Sequence, residues 1–417
     1  MNGRLQQNVV GAIAVDGDRG RAPTGGTRSL GSGLAAEPSG RFIVHAASDL
    51  RSFAGLWPDL SNLARFADAR AYPFQCRDHL EIWLETIGSA ADVRPFFAKV
   101  SDAAGEPLML VPLGLRRQAG IRILEFLDCG VADYNAPVLY RAATQLSPAE
   151  ARALWAAVCR AAPRFDVAVL NKMPERVEEF SNPLYALATH PCPESGHYIP
   201  LDGVPAETLQ SKHDSKETRR RRARLSEVGE VRLRIAHKDV EVEEVFPVFL
   251  RQKSAQYREK TGSEGFDVPG QRAYYLSLAR RLVNRGVELA YLRVGADIVA
   301  TAWCLIAGRR YYYMMCAHEG GAWGKFGTGR LLLEDLVERA QREGLEAFDL
   351  GIGDESYKLR WKQMALSLAD AREPATARGR LYCAAIAARE AMRNRLPPPL
   401  RNAAKMILRK AGPGGVT

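Results

Sequence analysis

Two short stretches late in a 417-residue chain hold residue types that suit group transfer. The run Phe348-Asp-Leu-Gly-Ile-Gly-Asp-Glu-Ser-Tyr-Lys-Leu-Arg-Trp361 ends a predicted strand at Gly351 and turns through Asp354 and Glu355. It then opens a short helix that presents Tyr357, Lys358 and Trp361. Polar groups just past a strand end are where αβ folds build sites. A phenol at Tyr357 can protonate a leaving thiolate, and Lys358 or Arg360 can hold phosphate. The same residues also suit a plain capped helix, with Asp354 as N-cap, Tyr357 and Trp361 packing at i and i+4, and the cations solvated.

The second stretch, Lys325-Phe-Gly-Thr-Gly329, opens a helix directly after a strand and loop. A glycine-rich turn there offers free N–H groups of Gly327, Thr328 and Gly329 and the positive end of the helix dipole to a diphosphate, with charge from Lys325 and Arg330. An ordinary helix start reads the same way. A third segment, Asp128 to Pro137, carries Asp133, Tyr134 and Asn135 at a matching strand end. These can line a substrate cleft or form an Asx-capped turn.

Other chemistries lack their residues. There is no Gly-x-Ser-x-Gly elbow, no phosphate loop ending Gly-Lys-Ser/Thr, no His-Glu-x-x-His and no Gly-x-Gly-x-x-Gly after a strand. The seven histidines are scattered, so no metal site is expected. Seven widely spaced cysteines without a Cys-x-x-Cys point to reduced thiols in a cytoplasm. No stretch is long and apolar enough for a membrane span.

The net charge of +10 is concentrated. Gln210 to Arg224 carries +5, and Arg389 to Lys410 carries +6. The rest is near neutral, which argues against a nucleic-acid binder that uses a whole folded face. The second basic segment also holds Met392, Leu396, Leu400 and Ile407, broken by three prolines from Pro397. Such a tail can rest on anionic lipid at the inner membrane face.

The elements that must position these residues occur twice. Residues 1–40 read as a disordered leader. Then come a strand near Phe42 to Val44, helices over Leu50 to Ala69 and Asp78 to Ile87, and a hairpin from Arg94 to Leu115. A strand from Ile121, a loop, a helix from Ser147 and a strand from Asp166 follow. The order helix, helix, strand, turn, strand, strand, loop, helix, strand returns from Glu241 to Leu350. Two copies of one αβ fold are therefore expected, over 41–205 and 231–385, with a basic linker helix over 206–230 and a tail over 386–417.

The runs "FDLGIGDESYKLRW", "RRYYYMMC" and "GTGRLLLEDLVERA", with "FLDCGVADYNAPVL" and "SKHDSKETRRRRARL", resemble acyltransferases of the cellulose-biosynthesis CelD/BcsL type, within the GNAT superfamily. That group is similar in build to FemAB-type peptidyltransferases. The resemblance implies an α/β (α+β) chain of two tandem GNAT-like domains, each a mixed, mostly antiparallel sheet flanked by helices. It implies acyl transfer from acyl-CoA, without a metal, to an amine or hydroxyl of a small molecule or polysaccharide precursor.

On that resemblance a strand from Tyr311 to Cys316 splits from its neighbour, so that Met314, Met315 and Cys316 line the thioester. The pyrophosphate turn falls on Lys325 to Arg330, and the thiol-protonating acid on Tyr357. His318, Asp354 and Glu355 are candidate bases. The first copy is expected to lack a cofactor turn. A FemAB-like reading would replace acyl-CoA with aminoacyl-tRNA, laid along the basic helix. A non-catalytic assembly or membrane-surface protein is the third reading.

Overall fold

A computed structural model describes residues 41–395; the expected leader and the tail beyond Arg395 lie outside the described residues. In chain order the main strands of the first part are β1 (Ile43–Ala47), β2 (Arg94–Ser101), β3 (Pro107–Gln118), β4 (Ile121–Phe126), β5 (Val167–Pro174) and β6 (Gly196–Pro200). Those of the second are β7 (Val231–Ile235), β8 (Val287–Val294), β9 (Asp297–Ala307), β10 (Arg310–His318), β11 (Ala347–Ile352), β12 (Met364–Leu366) and β13 (Leu368–Pro374). The helices are α1 (Arg77–Trp83), α2 (Pro148–Ala161), α3 (Lys212–Ser226), α4 (Asp239–Thr261), α5 (Gln271–Leu282), α6 (Thr328–Arg342) and α7 (Ala377–Arg395).

The fold is two mixed sheets flanked by helices. The first runs β1-β2-β3-β4-β5-β13, and the second β7-β8-β9-β10-β11-β6-β12. Pairing is antiparallel except for one parallel pair per sheet, β4 with β5 and β10 with β11. Each parallel pair is joined through one helix, α2 or α6. Ser147 opens α2 as the sequence indicates, in a capping box with Glu150.

The sheets do not respect the sequence boundaries. β6, from the first half, pairs with β11 and β12 in the second sheet. β13, from the second half, pairs with β5 in the first. The halves thus exchange a strand each. One hydrophobic core runs from the first sheet across the junction to Leu289, Trp303 and Tyr312. A second lies under α6, around Leu332, Leu336 and Phe348.

Three further expectations change. Leu50 to Ala69 is not one helix: Pro58 divides two 3₁₀ segments, Leu50–Leu56 and Leu60–Arg65. The segment expected as a free tail from 386 is helical to Arg395, within α7, which packs on the first sheet. The basic helix α3 lies against α6, where Thr218 donates to Glu334 and Arg222 pairs with Asp335. Its Arg219, Arg220 and Arg224 face solvent.

Candidate functional site

The two parallel strands of the second sheet part company. β10 pairs with β11 only from Arg310↔Ala347 to Tyr312↔Asp349, although both strands continue. β10 meanwhile stays paired with β9 to His318. Its register shifts between Trp303 and Cys304, so Met314 is an extra residue, a β-bulge where the gap begins. Bulges re-aim side chains and end pairing, often beside active sites. Met314, Met315 and Cys316 are all half-buried along this edge.

The matching position in the first sheet differs: β4 ends at Phe126 while β5 continues, and the space beside β5 is filled. β4 and β5 pair over three residues, ending at Glu125↔Val169. The loop Asp128 to Pro137 then closes in. Asn135 N–H donates to the Lys172 carbonyl at 3.0 Å, and its side chain donates to Asn171 O and to Asp128. Lys172 Nζ in turn bonds Asp128 and Ala132 O. Asn135 is thus buried structure, not cleft lining as expected.

Tyr134 is also buried and bridges the halves. Its hydroxyl donates 2.8 Å to Asp349 Oδ1, and Asp349 also pairs with Arg310 at 3.0 Å. A Cβ on Gly196 would lie 2.6 Å from the Tyr134 hydroxyl, so only glycine lets the ring sit there. Tyr134 is a junction residue, not a substrate contact.

Asp133 does face the second-half gap. Ile352 N–H donates to its Oδ2 at 3.4 Å. Burial pushes its carboxyl up to about 7 against the pull of Lys172, while Asp349 pushes the same way as burial. Tyr357 lies within electrostatic reach of Glu355, Cys316 and Asp133, and burial raises its phenol. The phenol therefore keeps its proton at neutral pH. On the other side Lys253 of α4 donates to Cys316 O at 3.0 Å, and burial lowers its pKa. Nothing in the sequence of α4 marks Lys253 apart from its other cations.

The acidic turn is arranged differently from the expectation. Lys358 is almost fully buried, with Nζ bonded to the carbonyls of Gly351, Ile352 and Gly353. It holds the end of β11 and does not face a phosphate. Glu355 is tied to Lys358 at 3.1 Å. Asp354 makes no cap: it accepts from His197 Nε2 at 2.9 Å, and Gln363 Oε1 stands 2.8 Å from the other ring nitrogen. Trp361 is buried in the core under α6 rather than lining a cleft. His318 is exposed, with Cδ2 2.9 Å from where a Gly329 Cβ would be. It stands at the start of α6, where Cys316 Sγ also lies 3.5 Å from the same Cβ position.

At the turn, Gly327 takes a left-handed φ of 65° and Thr328 is buried, donating to Val299 O. Thr328 and Gly329 lead the helix, where N–H groups have no intrahelical acceptor. Lys325 is exposed. Arg330 is committed to Asp214 and Glu334. Arg221 of α3 comes in its place, with Nη1 2.6 Å from a Gly327 Cβ position. Among the described residues no group of three or more His, Cys, Asp or Glu could hold a metal, and no helix is long and apolar enough to cross a membrane.

Residues 212–359 match the family described as acetyltransferase (GNAT) domain. The match begins at α3, so the matched segment takes in the basic helix, β7 to β11 and the turn beyond. No curated protein matches the chain. Among solved structures, FemX is similar over 73% of this chain and 92% of its own, at 11% identity and a TM-score of 0.51. A tandem GNAT protein from the clavulanic acid biosynthesis pathway covers 80% and 99%, at 14% identity and 0.44. The C-terminal domain of a putative lysylphosphatidylglycerol synthetase from Agrobacterium fabrum covers 73% and 95%, at 12% and 0.43. At its identity the FemX likeness is one of fold.

Proposed function

We propose that the protein is an acyltransferase that takes an acyl group from acyl-CoA and places it on an amine or hydroxyl. The observation that carries this reading is the parting of β10 and β11 at Tyr312 and Asp349, beside the Met314 bulge, inside the segment that matches an acetyltransferase domain. The filled space beside β5 in the first sheet favours a single donor site, in the second.

In this reading the carrier's phosphates meet the Thr328 and Gly329 N–H groups, with Arg221 supplying the charge that Arg330 cannot. The thioester lies along Met314 to Cys316. The acceptor attacks the carbonyl carbon: a C–N or C–O bond forms and the C–S bond breaks. Asp133 takes the acceptor's proton, and Tyr357 gives its phenolic proton to the departing thiolate. Asp133 is preferred here to Asp354 and Glu355, which are already paired with His197 and Lys358, and to His318, which is exposed at the start of α6. Alignment of donor and acceptor lowers the barrier by several kcal/mol, on the order of what intramolecular reactions gain. A polysaccharide or cell-envelope precursor as acceptor follows the family resemblance alone.

Isothermal titration with acetyl-CoA and longer acyl-CoAs tests the donor. Binding near equimolar is expected, and no heat from any of them with folded protein would overturn the reading. The solvent-facing Arg219, Arg220 and Arg224 favour a second reading, in which an aminoacyl-tRNA is the donor. Its binding would weaken steeply with salt in a gel-shift series.

A further inference from the structure

We propose that the outer face of α7 docks the protein on an anionic membrane surface. The inner face of α7 is fixed. Arg372 and Glu390 share two hydrogen bonds, at 3.1 and 2.8 Å. The helix start presses on Asp166, whose carbonyl would lie 1.8 Å from a Gly379 Cβ. Tyr382, Cys383 and Ile386 are half-buried toward the sheet.

The outer face has no partner among the described residues. Leu381 is 73% exposed and Met392 is 68% exposed. They stand eleven positions apart, about three helical turns, so they lie on one stripe. The exposed alanines Ala384, Ala385 and Ala388 fill the stripe between them. No other α-helix among the described residues exposes two large apolar side chains. Exposed Arg378, Arg380 and Arg389 flank it.

The charge pattern selects the occupant. After Glu390 the sequence holds six Lys and Arg and no acidic residue to Thr417. Like charge would oppose that segment as a cover for a stripe flanked by arginines, and its cations favour an anionic occupant. A second copy across a two-fold axis would set arginine against arginine. An anionic lipid surface satisfies both features: the apolar stripe enters the headgroup boundary, and the exposed arginines of the helix meet lipid phosphates.

Cosedimentation of the full chain with vesicles tests this. Binding is expected to phosphatidylcholine vesicles containing phosphatidylglycerol, not to phosphatidylcholine alone, and to fall with salt. The double variant Leu381→Glu/Met392→Glu, at solvent-facing positions, should lose about tenfold in binding while keeping its melting temperature and its heat of acyl-CoA binding. Arg378→Glu/Arg380→Glu should remove part of the salt-sensitive binding. Equal binding by Leu381→Glu/Met392→Glu and the parent would overturn the proposal. So would gel filtration showing that the same variant converts a dimer to a monomer while vesicle binding is absent throughout.

Discussion

Asp133, in a loop of the first half, has its Oδ2 2.5 Å from the position a Cβ would take on Gly351 of the second half. Gly351 holds a left-handed φ of 74°, and its N–H donates to Asp349, the same carboxylate that Tyr134 reaches. The floor of the gap between β10 and β11 is thus made jointly by the two halves. In the proposed reaction the first half supplies the proton acceptor.

Gly351→Ala meets two obstacles at once. A side chain at that φ costs about 1–2 kcal/mol, and the new methyl must displace Asp133. The expected outcome is a loss of turnover of at least roughly tenfold, larger than the drop in melting temperature explains. Steady-state rates and a thermal melt of the same preparation check it.

Asp133→Asn separates chemistry from binding. The carboxyl is ionised only above about 7, because burial penalises its charge. Parent turnover should therefore rise with pH through that value. The variant should lose on the order of 10²-fold in kcat and lose that rise, with acyl-CoA affinity unchanged. A parent-like pH profile in the variant would remove Asp133 from the reaction.

The same group makes a stability prediction of opposite sign. In the folded chain Asp133 holds its proton to about 7, whereas its ordinary value is 3.8. Between those values the unfolded chain binds fewer protons, so stability falls as pH rises. Asp133→Asn buries no charge. It should melt above the parent at pH 8, and the difference should shrink as pH drops toward 4.

The strand exchange ties both halves into one unfolding unit, and Tyr134 sits at its centre. Tyr134→Phe removes a buried hydrogen bond to a carboxylate, which costs about 1.5–3 kcal/mol. A denaturant curve should shift by that amount and remain a single transition. Two resolved transitions would show that the exchanged β6 and β13 do not couple the halves.

Local pattern made much of this legible. Alternation and turn residues mark β2, β3, β8 and β9, and Ser147 with Glu150 marks the start of α2. The element order repeats because both halves use the same parallel crossover, through α2 and α6. The exchange of β6 and β13 left no local trace, since a short strand reads the same whichever sheet receives it. The site residues divide for a similar reason. Tyr357 and Gly329 stand at strand and helix ends, where sequence shows them. Lys358 reads as a phosphate holder or a solvated cation, yet three carbonyls at the end of β11 draw it inward. His197, Lys253 and Arg221 arrive from elements distant in sequence, and only packing brings them to Asp354, Cys316 and Gly327.

Arg221 and Arg330 offer the sharpest contrast, because sequence points to one and packing sets the other over the turn. Arg330 directly follows the glycine turn, but Asp214 and Glu334 already hold its guanidinium. Arg221 lies more than a hundred residues upstream, yet its Nη1 overhangs Gly327, with its Nε paired to Glu217 at 2.8 Å. If phosphate binds at the start of α6, Arg221→Gln should raise the KM for acyl-CoA by roughly threefold to tenfold, the usual range for one partly exposed charge contact, and leave kcat intact. Arg330→Gln breaks one of the ties between α3 and α6, so its main effect should be a lower melting temperature with KM nearly unchanged. Measuring both variants with acyl-CoA and with its 3′-dephospho form shows which phosphate Arg221 serves. The reverse assignment, KM rising for Arg330→Gln alone, would place the carrier on the other side of the helix.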